Sequence, residues 1–237
     1  MAKRSKKFKE NQNKVDKNKR YSYKSAVELL LSMQKSKFDE SVDVAFRLGI
    51  DPKQSDQQVR SSVVLPHGTG KSVKVLVLAK GDKEQEAKEA GADFVGFSEY
   101  VEKIQQGWLG FEKVITTPDL MGEVSKLGKI LGPKGLMPNP KMGTVTFDIA
   151  NAVKNEKRGK VEFRNEKTGN LHVVIGKASF GVDKLSENFR VLFQEIIRQK
   201  PQSAKGNYIR TAALSLTQSP GIRMDVNSLL NIHSEGE

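Results

Sequence analysis

The chain has no cysteine, which excludes disulfides and thiolate metal sites. It has only three histidines, His67, His172 and His233, and they lie far apart in sequence, so neither a histidine-built metal centre nor a bound cofactor is expected. The longest strongly apolar run, Val75–Ala79, is far too short to cross a bilayer. The first residues lack the apolar stretch of a secretory signal. The expectation from these absences is a cytoplasmic protein with no membrane partner.

Acids are also in short supply. The 237 residues hold 40 Lys and Arg against 28 Asp and Glu, a net charge of +12. A cation of that size seeks a polyanion, either nucleic acid or an acidic membrane surface. Two thirds of the excess lies in residues 1–24, where ten cations meet two anions. This stretch reads as a solvated basic arm, which can also lie along phosphates. The rest of the chain is apolar enough to build a core, with hydrophobic residues at 37% overall.

Ser25 and Glu28 have the capping-box spacing ahead of Leu30, Leu31 and Met33, which predicts a helix ending near Lys37. Val42, Val44, Phe46 and Leu48 alternate with polar or small residues, the period of a half-buried strand, and Ser62–Leu65 reads as a second. From Val73 the rhythm becomes strand, helix, strand, helix, strand: Val73–Ala79, Lys83–Ala90, Asp93–Val95, Ser98–Gln106 and Val114–Thr116, followed by a helical stretch over Asp119–Leu127. Such alternation implies βαβ units on a parallel sheet. Past Lys160, two short strands flank Lys167–Asn170 as a hairpin, an amphipathic helix covers Lys184–Gln199, and a strand covers Tyr208–Thr217.

The first flanking piece is too small to hold a core alone. The expected fold is therefore α/β with two domains. An open-sheet α+β domain takes residues 25–69 and 160–230 from the two ends, and a Rossmann-like βαβ domain over 70–159 is inserted between them. The arm over 1–24 and a tail over 231–237 flank the whole. Gly70 and Gly159 mark the two chain crossings and suit a hinge.

Gly68-Thr-Gly-Lys-Ser72 suggests a phosphate loop, but Leu65 stands where the first glycine is needed and Ser72 runs into a strand rather than a helix. The first βα turn lacks Gly-x-Gly-x-x-Gly, so a nucleotide-dependent enzyme is a poor reading. No catalytic constellation stands out. Gly128–Gly143 holds seven Gly or Pro, with Lys126, Lys129, Lys134 and Lys141 and no acid in or beside it, so it reads as an irregular, stiff basic loop.

That stretch, Gly128-Lys-Ile-Leu-Gly-Pro-Lys-Gly-Leu-Met-Pro-Asn-Pro-Lys-Met-Gly-Thr144, resembles the signature of the ribosomal protein L-one family, the side-stalk proteins of the large subunit, in its bacterial type. Further similar blocks follow in the family's order: Lys37-Phe-Asp-Glu-Ser41, Leu48-Gly-Ile-Asp-Pro52, Ser55-Asp-Gln-Gln-Val-Arg60, Leu65-Pro-His-Gly68, Ala90-Gly-Ala-Asp93, Phe163-Arg-Asn-Glu-Lys-Thr-Gly169 and Gly176-Lys-Ala-Ser-Phe180. They span nearly the whole chain.

The resemblance implies a two-domain structural protein of the large ribosomal subunit, not an enzyme and monomeric when free. Its terminal-segment domain would bind the side stalk of the large-subunit rRNA. The exit-site tRNA and the protein's own operon mRNA would be further partners. A free mRNA-binding regulator is the alternative and would use the same surface. The RNA-contact residues carried over are Lys37, Phe38, Ser41, Arg164, Asn165, Lys167, Thr168 and Thr217. For Phe38 a place in the core, and for Arg164 an ion pair, are competing readings. Where the family has Thr-Met-Gly-Pro, this chain has Thr217-Gln218-Ser219-Pro220. Gln218 and Ser219 would keep polar contacts but lose an apolar one, altering affinity.

Overall fold

The computed structural model describes residues 5–34 and 36–234. In chain order the elements are α1 (Lys6–Lys14), α2 (Tyr23–Ser32), β1 (Ser41–Leu48), β2 (Arg60–Val64), β3 (Val75–Leu78), α3 (Asp82–Glu89), β4 (Phe94–Gly96), α4 (Ser98–Gln105), β5 (Lys113–Thr116), α5 (Met121–Val124), α6 (Gly128–Leu131), α7 (Ile149–Lys157), β6 (Lys160–Arg164), β7 (Asn170–Lys177), α8 (Gly181–Arg198), β8 (Ile209–Leu216), β9 (Ile222–Met224) and α9 (Val226–Ser234). The chain is a mixed α/β protein that divides into two compact units, one of residues 1–70 with 161–237 and the other of residues 71–160.

The first unit is built on a four-stranded sheet in the order β7-β1-β8-β9, in which β1 runs antiparallel to both neighbours. Along β1, Val42, Val44, Phe46 and Leu48 are buried and the intervening residues are not, as the alternation requires. Their buried face packs with Ala26, Val27 and Leu30 of α2 and Leu185, Phe189, Leu192, Phe193 and Ile196 of α8 in one core. Tyr23, Phe189, Phe193 and Phe46 stack through that core. The opposite face carries Ala45, Arg47, His172, Ala213, Ser215 and Arg223, half-buried or exposed.

The second unit is a three-stranded parallel sheet in the order β4-β3-β5. Every residue of β3 is buried, because α3 and α7 cover one face with Ala87, Ile149 and Val153 while Ile104, Val124, Leu127 and Leu131 cover the other. Asp93 locks the edge: its carboxylate accepts from the Val75 amide at 2.8 Å and pairs with Lys157 at 3.3 Å.

Several sequence-based expectations are corrected. The basic arm is not simply solvated, since residues 6–14 form α1, capped by the Ser5 hydroxyl. Asn11 is buried and donates to the Met33 carbonyl, and Val15 is buried beside the core. Lysines dominate the composition, and they hide this sparse inward-facing set. The next helix is capped at Ser22 rather than Ser25, whose hydroxyl bonds the Ser22 hydroxyl, and it ends at Ser32 rather than Lys37. Strands β6 and β7 do not form a hairpin. The turn between them closes through Glu166 N to Asn170 O, but β6 joins β2 in a separate two-stranded sheet and β7 joins β1. The basic loop begins in helix α6, a continuation of the helical run before it. The sequence reading passed over α7 and β9, while α9 extends into the expected tail. Residues 1–4 of the arm and 235–237 of the tail lie outside the described residues.

Candidate nucleic-acid interface

The eight carried-over residues, with Gln218 and Ser219, fall into two groups at opposite ends of β1. Seven residue steps along that strand separate them, about 24 Å at ~3.4 Å per residue.

The first group surrounds the start of β1, where Ser41 faces Lys177 of β7 and lies beside Thr217, just past β8. Segment 36–41 is fastened on both sides. Towards β7, the Asp39 carboxylate accepts from the Ser179 amide (3.1 Å) and hydroxyl (2.7 Å), and the Glu40 carbonyl accepts from Ala178 N. Lys177 Nζ donates to the Asp39 carbonyl and to the Ser41 hydroxyl at 3.0 Å. Towards β8, the buried Glu40 carboxylate accepts from the Gln218 amide at 2.9 Å, the Ser36 hydroxyl donates to Gln218 Oε1, and Ser41 N donates to Thr217 Oγ1. Phe38 stands in the middle, 48% exposed, with Lys37 exposed beside it. The core reading of Phe38 is thus excluded. A ring held open to solvent between two fastened flanks is pre-organised for a flat partner.

Gln218 is exposed, whereas the Ser219 hydroxyl is used inside the turn, accepting from Leu216 N and donating to Pro220 O. No described non-glycine residue has positive φ, so Ser219 fits this turn without backbone strain.

The second group sits at the other end, on the turn after β6. Asn165 is clamped to Val59 at both its backbone amide and its side-chain oxygen, the latter at 2.7 Å. Asn170 Nδ2 donates to the Thr168 hydroxyl. Gly169 adopts φ +78 with its carbonyl accepting from Leu48 N, which fastens the turn to the end of β1. Arg164, Lys167 and Thr168 are exposed, and among the described residues Arg164 makes no ion pair. Arg60, Arg164 and Lys167 border a pocket of about 440 Å³ with Glu166 as its one acid. Sequence reading missed Lys177 and Arg60 as neighbours of the site. Both lay inside recognised blocks, but only strand pairing puts them beside Ser41 and Arg164.

Gly70 and Gly159 both take positive φ, +72 and +95. A Cβ on Gly70 would meet Lys177 Cγ at 2.7 Å and the Phe180 ring at 3.2 Å, and Gly159 ends α7. Packing and helix termination alone account for glycine at these positions. In residues 126–143, Lys126, Lys129, Lys134 and Lys141 are exposed, while Leu131, Pro138 and Met142 are buried. Asn139 and Thr144 bond each other across the loop, and Lys160 holds the Met142 carbonyl.

No helix lies between the Gly68–Ser72 segment and β3, into which residues 71–74 lead directly. Among the described residues no cluster of His, Asp or Glu could hold a metal ion, and no helix is long and apolar enough to cross a membrane. The architecture offers polar, cationic and aromatic contacts on rigid backbone, which suits binding to a structured polyanion. The family model described as the ribosomal protein L1p/L10e family matches residues 30–220, and the chain therefore belongs to that family of large-subunit, rRNA-binding structural proteins, which is not an enzyme family.

Proposed function

We propose that the unit formed by the terminal segments grips the side stalk of the large-subunit rRNA at both ends of β1. The observation that carries this is Phe38, exposed between Lys37 and a set of hydrogen bonds that fix segment 36–41 to β7 and to the 217–218 turn. Phe38 stacks on a base or sugar, Lys37 takes a phosphate, and Ser41, Thr217 and Gln218 address 2′-hydroxyls or phosphates. Arg164, Lys167 and Thr168 hold the RNA at the far end, while Asn165 and Ser219 position the turns that carry them.

In this reading the unit of residues 71–160 is a second domain that swings on the crossings near Gly70 and Gly159, with exit-site tRNA as its client during release. The rRNA-binding surface also takes the protein's own operon mRNA and so represses translation. The chain acts as a monomer when free.

The test is equilibrium binding of the full chain to a stalk RNA fragment and to an unrelated hairpin of equal length. Preference for the stalk, lost in Phe38→Ala and Thr217→Val, supports the placement. Equal affinity for both RNAs, indifferent to either substitution, refutes it.

A further inference from the structure

A second basic pocket lies in the terminal-segment unit, lined by none of the residues of the two groups above, though its Ile209 pairs with Leu48 at the end of β1 where the second group sits. It is walled by the end of α8, the 206–210 segment and α9, and encloses about 520 Å³. Arg20, Lys200 and Arg210 line it, all exposed, with no acid among the lining residues and no ion pair for any of the three among the described residues. Its apolar part is made by Ile197, Val226 and Leu230, the last 44% exposed.

The backbone is arranged to build this pocket. Pairing of β1 with β8 slips by one residue between Arg47, opposite Thr211, and Leu48, opposite Ile209. Arg210 is the extra residue, so a β-bulge takes it out of the strand's alternation. Gly49 lets the 206–210 segment pack closely against the end of β1: a Cβ there would lie 2.2 Å from the Asn207 carbonyl, while Arg210 Nε, at 3.4 Å, would be in ordinary contact. The Tyr208 hydroxyl is buried with no partner among the described residues, and burial raises its pKa.

We infer that this pocket binds one unpaired nucleotide of the large-subunit RNA, its phosphates on Arg20, Lys200 and Arg210 and its base against Ile197, Val226 and Leu230. Three cations without an acid select a polyanion, and the exposed aliphatic wall selects one that also has a flat, weakly polar face. The inference rests on the family's rRNA binding and is independent of the two groups on β1.

The experiment places the photo-crosslinker p-benzoylphenylalanine at position 230 of the full chain, assembled into large ribosomal subunits. Irradiation is expected to join position 230 to an unpaired rRNA nucleotide. Combining Lys200→Ala with Arg210→Ala is expected to remove that product. It is also expected to lower the slope of log affinity on log salt for rRNA by about 1.4, at about 0.7 per single-strand phosphate contact. Lys88→Ala with Lys154→Ala, an equal change of charge in the other unit, is expected to leave the cross-link in place. A cross-link to a ribosomal protein, or none to RNA in the assembled subunit, overturns the inference whether or not the double variant folds.

Discussion

Asn188 tests how the terminal-segment unit holds the chain that leaves it. The residue is fully buried on α8. Its side-chain oxygen accepts from His67 N at 3.0 Å, and its amide donates to the Gly68 carbonyl at 3.0 Å and the Ile175 carbonyl at 2.8 Å. Asn188→Ala leaves an amide and two carbonyls short of a partner where water has poor access. At about 1 kcal/mol net per bond the loss is about 3 kcal/mol. That is about 150-fold in the unfolding equilibrium. Hydrogen exchange read by mass spectrometry on the full chain gives the answer segment by segment. Peptides from β7 and α8 are expected to lose protection, and residues 65–69 most of all, while β3 and β5 keep theirs. A loss below about 1 kcal/mol, or one spread evenly over both units, would refute the reasoning.

Phe38→Ala is expected to weaken stalk RNA binding by about 5- to 150-fold, from the ~1–3 kcal/mol that one stacked base contributes. The same change should leave urea stability nearly untouched, since the ring is exposed. Replacing Lys6, Lys9 and Lys14 of α1 by Ala is expected to flatten the salt dependence of RNA binding without altering the preference for stalk over hairpin. Asp93 gives a pH prediction. Burial opposes its charge, but the Val75 amide and Lys157 outweigh burial and hold the carboxyl below the usual carboxylate range. Its stabilising contribution is therefore complete above the unfolded value of about 4 and is lost as the pH falls below it. The sole tryptophan, Trp108, lies in the same unit, so its fluorescence during an acid titration should show Asp93→Asn removing part of the acid-induced loss.

Strands and helices with a clean period were legible in the sequence: β1, β3 and α8 follow directly from where apolar residues recur. Elements with little apolar signal were not. In α1 and its C-cap only Phe8, Asn11, Gln12 and Val15 are not exposed among lysines and asparagines, and α7 was hidden between a loop and a strand. Lys167–Asn170 shows a different limit. Its turn chemistry was read correctly, but which strand each arm joins is set by long-range pairing that local residues do not encode. The site was legible as residue types and not as an arrangement. Nothing in the sequence places Ser41, Lys177 and Thr217 side by side, or puts Thr168 at the opposite end of the same strand.

The chain's lack of cysteine gives the most direct test of that arrangement. Single cysteines introduced as Lys37→Cys and Thr168→Cys can each carry a tethered iron chelate that generates hydroxyl radicals beside bound stalk RNA. Lys88→Cys in the other unit serves as the comparison. Cleavage from both 37 and 168, at two separate sites in the stalk RNA, is the expected result. Cleavage from neither, or from position 88 alone, would contradict RNA binding along β1.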